Sequence, residues 1–197
     1  MDLILENIIA GCKQQDRASQ KALYLKYVSL LMSICQRYVI NRTDAEEILN
    51  NAFLRIFKHV NQFDNKGSFE GWVKRIAVNC CLTYISKAGY TNQTKVVPLQ
   101  TDSGNEAIFF ANNEGNYSEN GAEEKYRKES LLKLLQNLPQ TTRLVFNLYV
   151  FEDYNHREIG ELLNIAERTS QAHLASARNL LSAELDKKKL MHKLQRI

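Results

Sequence analysis

Proline is nearly absent: Pro98 and Pro139 are the only two in 197 residues. That excludes a polyproline-type scaffold and leaves long stretches free to run as uninterrupted helix. No run approaches the ~20 consecutive apolar residues of a membrane-spanning helix, so no direct membrane insertion is expected. With 44% hydrophobic residues and a mean hydropathy of -0.39 the chain reads as a soluble globular protein. The amino end, MDLILENIIAGCKQQD, places acids early and no basic stretch ahead of its apolar part. A secretory leader is therefore not expected, and the chain is assigned to the cytoplasm. Four cysteines (Cys12, Cys35, Cys80, Cys81) lack metal-type spacing and sit in apolar helical patterns, where a thiol serves as a small hydrophobe. The four histidines are scattered, and none makes a ligand pair with a cysteine. No phosphate-binding glycine loop and no Ser/Cys–His array occurs, so neither cofactor, metal nor catalysis is expected. Paired carboxylates such as Glu46-Glu47 are helix-cap and surface residues by default.

What the chain does have is uneven charge. Residues 1–90 carry 12 Lys/Arg against 8 Asp/Glu, residues 91–121 carry 1 against 4, and residues 122–197 carry 13 against 10. Two basic blocks flank an acidic connector, a pattern suited to two modules on one polyanion.

Helix-type spacing is nearly everywhere. Residues 3–10 give a first helix with Leu3, Ile4, Ile8 and Ile9 as its apolar residues. Asp16 is placed to cap a second, carrying Ala18, Ala22, Leu23, Leu25 and Tyr27, and the spacing continues to Ile40. Asn41-Arg42-Thr43 breaks the pattern. Thr43 or Asp44 then caps a helix running to about Val60, with Glu46 or Glu47 completing a capping box. Asn61 to Gly67 is a loop, and Ser68 can cap the helix after it.

The stretch SFEGWVKRIAVNCCLTYISK (68–87) sorts into two faces at ~100° per residue. Phe69, Trp72, Val73, Ile76, Ala77, Cys80 and Tyr84 form a core arc. Lys74, Arg75, Asn79 and Ser86 form the opposite arc, with Val78 and Leu82 among them. Cations there can bind phosphate, an amide can read a base edge, and apolar groups can lie against an unstacked base. On periodicity alone an ordinary amphipathic helix with a solvated basic face is the commoner reading.

From Gly89 to Gly121 the sequence is rich in Asn, Gly, Ser and Thr without a sustained period, and reads as a flexible linker. Its residues could span about 110 Å when extended at ~3.3 Å each, so it hardly limits the separation of the two blocks. Ile108-Phe109-Phe110 puts three large apolar residues in a row within it, suited to packing on its own domain or to anchoring a partner. The second block holds a leucine-rich helix (Leu131 to Leu138), then a helix with Pro139 in its first turn. After Glu152-Asp153-Tyr154-Asn155 comes HREIGELL (156–163), the turn Asn164-Ile165-Ala166, and a long helix from Glu167. Ile159, Gly160, Leu162 and Leu163 should face inward, Asn164 should adopt the left-handed C-terminal conformation, and Leu174, Ala177, Leu181 and Leu185 should carry the apolar face of the last helix. A short helix, a three-residue turn and a longer helix make a helix-turn-helix. The tail DKKKLMHKLQRI is basic and amphipathic, as a solvated helix end or a phosphate contact would be. The expected fold is all-α: two small helical domains, 1–88 and 122–197, joined by a flexible linker, 89–121.

Three segments together resemble a sigma factor of bacterial RNA polymerase, specifically the extracytoplasmic-function (ECF) group. DAEEILNNAFLRIF (44–57) resembles the helix that binds the clamp helices of the core enzyme. GSFEGWVKRIAVN (67–79) resembles the signature that meets the non-template strand of the downstream promoter element. LPQTTRLVFNLYVFEDYNHREIGELLNIAERTSQAHLASAR (138–178) resembles the domain that reads the upstream element. The resemblance implies sigma region 2 for residues 1–88 and region 4 for 122–197. It implies core RNA polymerase, promoter DNA and an anti-sigma factor as partners. Asp44, Glu47, Asn50 and Asn51 would meet polymerase. Lys74, Arg75 and Asn79 would meet DNA at the opening strand, and Arg168, Thr169, Ser170, Gln171, His173 and Arg178 would meet it at the upstream duplex. The loop Gln62–Ser68 matches the family's loop that captures a flipped base, Trp72 would pack rather than wedge, and the acidic linker resembles those that thread the polymerase's RNA path. The chain departs from the family at Asn50-Asn51, where Gln-Glu is common, and at Gln171 and Ser176, where cations are common. Each missing cation removes roughly one phosphate contact. A stand-alone helix-turn-helix regulator is the rival reading; it would dimerise on palindromic sites, and no dedicated dimerisation helix is visible.

Overall fold

A computed structural model describes residues 3–64, 67–87 and 121–194, with the side chains of 121–128 and 188–194 excepted. The linker with Ile108-Phe109-Phe110, the middle of the Gln62–Ser68 loop and the side chains of the basic tail from Lys188 lie outside that description. Among the described residues every element is helical: α1 (Leu3–Lys13), α2 (Arg17–Tyr38), α3 (Arg42–His59), a single 3-10 turn (Val60–Gln62), α4 (Phe69–Lys87), α5 (Gly121–Gln136), α6 (Gln140–Val150), α7 (His156–Leu163) and α8 (Glu167–Leu194). These fall into two compact units, α1–α4 and α5–α8. No helix among the described residues is long and apolar enough to cross a membrane.

In the first unit the buried stripe of α1 is Leu5, Ile9 and Cys12, at i, i+4 and i+7. Leu3 and Ile4, expected in the core, are 75% and 68% exposed, because the stripe is set one residue later than the densest apolar run. The turn into α2 is built on Gly11, where a β-carbon would fall 2.0 Å from Ser19 Oγ. Gln15 takes a positive φ of 60°. Asp16 then caps α2 as its sequence position predicts, accepting from Ser19 N (2.8 Å) and Ser19 Oγ (2.7 Å), and these bonds hold its carboxyl below the usual range. Leu25, placed with the apolar residues of α2, is 63% exposed.

The cap of α3 is Asn41, whose side chain accepts from Thr43 N at 3.0 Å. The expected Thr43 or Asp44 cap is thus two to three residues late: an Asx residue ahead of the helix competes successfully for the first free N–H. Ala45, Ile48, Leu49, Ala52, Phe53 and Ile56 are the buried face of α3.

Helix α4 packs on both α2 and α3, so its core arc is far wider than periodicity suggests. Val78 and Leu82, read as exposed, are each 1% exposed, and Asn79 is 4% exposed. With Cys80 and Cys81 also buried, thiols and apolar groups fill the middle of this helix; Cys12 on α1 and Cys35 on α2 are buried too. Full burial of each such side chain contributes about 1.5–3 kcal/mol.

In the second unit Pro139 occupies the cap position of α6 rather than its first turn. The buried guanidinium of Arg143 donates through Nη1 to Gln136 O at 3.0 Å, closing the last turn of α5; burial alone pushes its pKa down. Asn155 and Glu158 form a reciprocal capping box at the start of α7, with bonds of 3.0 and 2.8 Å. Asn164 ends α7 with φ 53° and ψ 48°, and Ile165 N returns to Gly160 O at 2.9 Å. Ile159, Gly160, Leu162 and Leu163 all face inward as expected. Leu174 and Ala177 are buried on α8, Leu181 is half-buried against them, and Leu185 is 41% exposed.

Candidate nucleic-acid interface

Two surfaces of the first unit matter. On α3 the solvent side opposite Ala45 and Ile56 carries Asp44, Glu47, Asn51, Leu54 and Lys58 at alternating steps of three and four. Glu47, Asn50, Asn51 and Lys58 are exposed, and Asp44 is half-buried. Leu54, which the sequence reading did not single out, is 68% exposed in the middle of this stripe. The alternation of three and four is the signal that would have found it, because it describes a seam able to lie along another helix.

On α4 the predicted residues part company. Lys74 and Arg75 are half-buried near its start, and Lys74 Nζ pairs with Glu70 Oε1 at 2.6 Å. Asn79 is one helical turn further, inside the unit, and neither of its amide atoms has a protein partner among the described residues. It does not lie on an exposed face with the cations, so the three residues are not one surface. Trp72 packs as expected, its ring 5.4 Å from Phe69 and 5.7 Å from Phe63. Phe63 meets Phe69 edge-on at 5.0 Å, and Lys13 Nζ donates to Phe63 O at 3.0 Å. The loop entering α4 is therefore held by three aromatic rings and one charge-assisted hydrogen bond. Tyr27 sits below, 5.9 Å from Phe69, its hydroxyl pushed up to about 12 by burial and then by the Glu70 carboxylate.

In the second unit α8 shows its polar side at the start. Arg168, Thr169, Gln171 and Arg178 are exposed. Opposite Ser170, Leu174 and Ala177 run Arg168, Ala172, Ala175 and Asn179, all exposed. Two predicted contact residues turn inward instead. Ser170 is wholly buried, its Oγ 2.9 Å from His156 Nδ1, and the His156 ring stacks on Tyr149 at 4.6 Å. His173 is half-buried, its Nδ1 3.0 Å from Thr142 Oγ1. In either tautomer these imidazoles can share a hydrogen bond with the hydroxyl. They tie α8 to α7 and α6 and fix its presentation to solvent. A rigid short helix, a left-handed turn and a second helix with a small-residue, cation-flanked outer face constitute a helix-turn-helix able to enter a major groove.

Family models agree with this geometry. Sigma-70 region 2 matches residues 23–90 and Sigma-70, region 4 matches residues 128–181, together more than half of the chain. The chain belongs to the ECF group of the sigma-70 family. It is 24% identical over 190 residues to the ECF RNA polymerase sigma factor SigW of Bacillus subtilis, covering 94% of this chain and 98% of that protein. To the ECF RNA polymerase sigma-E factor of Haemophilus influenzae it is 20% identical over 178 residues, covering 90% of this chain and 93% of that one. A solved structure of CnrH in complex with the cytosolic domain of CnrY covers 91% of this chain and 96% of that chain at 16% identity and a TM-score of 0.48. The region 2 match takes in α4 and most of α2, while α1 precedes it; the region 4 match takes in α6, α7, the turn and the first half of α8 of this sigma factor.

Proposed function

We propose that this sigma factor binds core RNA polymerase through the exposed side of α3 and directs it to promoters. The start of α4 meets the downstream element as it opens, and α8 reads the upstream duplex. The observation that supports this reading most is the division of labour on α3: one side is wholly core, while the other displays Glu47, Asn50, Asn51 and Leu54 to solvent. An apolar side chain so exposed between polar ones suits a helical partner. At α4, Arg75 and Lys74 supply phosphate contacts that help offset the few kcal/mol lost per base taken from the stack. At α8, Arg168 and Gln171 offer groups to phosphates and base edges, and Ala172 and Ala175 let the helix approach the groove floor and its thymine methyls. Asn79 and Ser170 act from inside the fold, as packing and positioning residues. Catalysis stays with polymerase, in the cytoplasm, and an anti-sigma factor controls access by covering surfaces such as Leu54.

Run-off transcription with core polymerase tests this. Arg75→Ala is expected to slow promoter opening, Arg168→Ala to weaken promoter recognition, and Glu47→Lys to weaken association with polymerase, all with unchanged thermal stability. Wild-type opening and recognition by both arginine variants would remove the DNA assignment. A chain that footprints a palindrome as a dimer, without polymerase, would replace this function with that of a stand-alone regulator.

A further inference from the structure

Helix α4 carries one acid, Glu70, and three cations, Lys74, Arg75 and Lys87. The acid is set one turn before Lys74, and its carboxylate meets that ammonium at 2.6 Å. Both side chains remain accessible, Lys74 at 35% and Glu70 at 46%, so the pair lies at the surface where a nucleic-acid phosphate would have to arrive. The same carboxylate adds to the upward push that burial gives the Tyr27 hydroxyl. An ammonium paired with a neighbouring carboxylate presents no net positive charge to displace the counterions condensed on DNA, and release of those counterions is what drives such binding. From this we propose that Glu70 is an electrostatic guard on α4: in the free chain its carboxylate occupies Lys74, and a DNA phosphate must displace it before Lys74 can contribute.

A first-turn acid four residues before a lysine also stabilises an isolated helix modestly, and that role alone leaves DNA affinity unchanged. The guard has a different signature. It lowers the affinity of the free chain for any single strand, irrespective of sequence. It matters less once polymerase has positioned α4 beside the opened strand, where effective concentration is high. Useful binding is thereby reserved for the assembled enzyme. This inference rests on the assignment of Lys74 to DNA made above.

The test uses the full chain without polymerase and a mixed-sequence single-stranded DNA 12-mer, followed by fluorescence anisotropy across a salt series. Glu70→Gln keeps the shape of the side chain and removes its charge. It is expected to tighten binding about threefold to fivefold, the scale of one exposed ion pair plus one removed like-charge repulsion. The dependence of log affinity on log salt should steepen by roughly one contact, about 0.7 for a single strand. Against Lys74→Gln alone, the double variant Glu70→Gln, Lys74→Gln should keep only the repulsion share of that gain, with no steeper salt slope. If Lys74→Gln weakens binding while Glu70→Gln changes neither affinity nor salt slope, the guard is overturned and the DNA assignment stands. If Lys74→Gln is without effect in the Glu70→Gln background, the DNA assignment of Lys74 falls and the guard falls with it.

Discussion

Gly160 faces the turn of the helix-turn-helix so closely that a β-carbon would lie 2.7 Å from Ile165 O. Backbone on the receiving side cannot swing away as a side chain could. Gly160→Ala should therefore cost about 1–3 kcal/mol, the scale of overpacking in a tight core, read as a fall in the urea midpoint with unchanged slope. Asn79 makes the opposite case. Its amide is buried with neither atom partnered among the described residues, and an unmet buried polar atom costs about 1–3 kcal/mol. Asn79→Leu, similar in volume, should be neutral or stabilising by up to about that amount in urea unfolding; a loss above ~1 kcal/mol would show that the amide is satisfied. These two residues also show what a sequence can tell. Asn164 was legible because a left-handed helix end is a backbone requirement that few residues meet, and Gly160 because it falls on the inward arc of its helix. Asn79 and Ser170 were misplaced because a period describes one helix, whereas exposure depends on how many neighbours surround it.

Each helix start is the point at which local chemistry decides register. Asn155 and Glu158 satisfy two otherwise free N–H groups at the head of α7, an eight-residue helix that is marginal in isolation. Asn155→Ala should cost about 1 kcal/mol, and because α7 buttresses α8 through His156 and Ser170, promoter-duplex affinity of the polymerase-bound chain should fall in parallel with Tm. Asp16 was readable as a cap because it precedes a clean apolar pattern. The cap of α3 was not, since Asn41, Thr43 and Asp44 all offer the right chemistry and only the backbone path chooses among them. The wide core arc of α4 escaped notice for a related reason: an apolar residue on the polar side of a wheel is ambiguous until a second packing partner is known, and α4 has two.

The molecule as a whole should lose stability on the alkaline side. Burial pushes the Cys80 thiol up to about 11 from 9.0 and the Tyr27 hydroxyl up to about 12 from 10.0. Both groups stay protonated in the folded chain at pH values where the unfolded chain has already released its protons. The unfolded state then binds fewer protons, and stability falls as pH rises. The effect should be absent below pH ~8, where all forms are protonated, and should grow between about 8 and 12. For Cys80 alone the limit is about 3 kcal/mol, at ~1.4 kcal/mol per pKa unit. Urea midpoints at pH 8, 9.5 and 11 measure it, and Cys80→Ala should flatten the decline. The same burial leaves the thiols poor nucleophiles, so alkylation by iodoacetamide at pH 8 should track unfolding.

The hydrogen bond from Lys13 Nζ to Phe63 O spans fifty positions of sequence. It makes the opening helix, which lies ahead of the region 2 match, a fastener for the loop that leads into α4. Shortening the chain to the matched segment, or fusing a bulky tag against α1, would thus be felt at the start of α4.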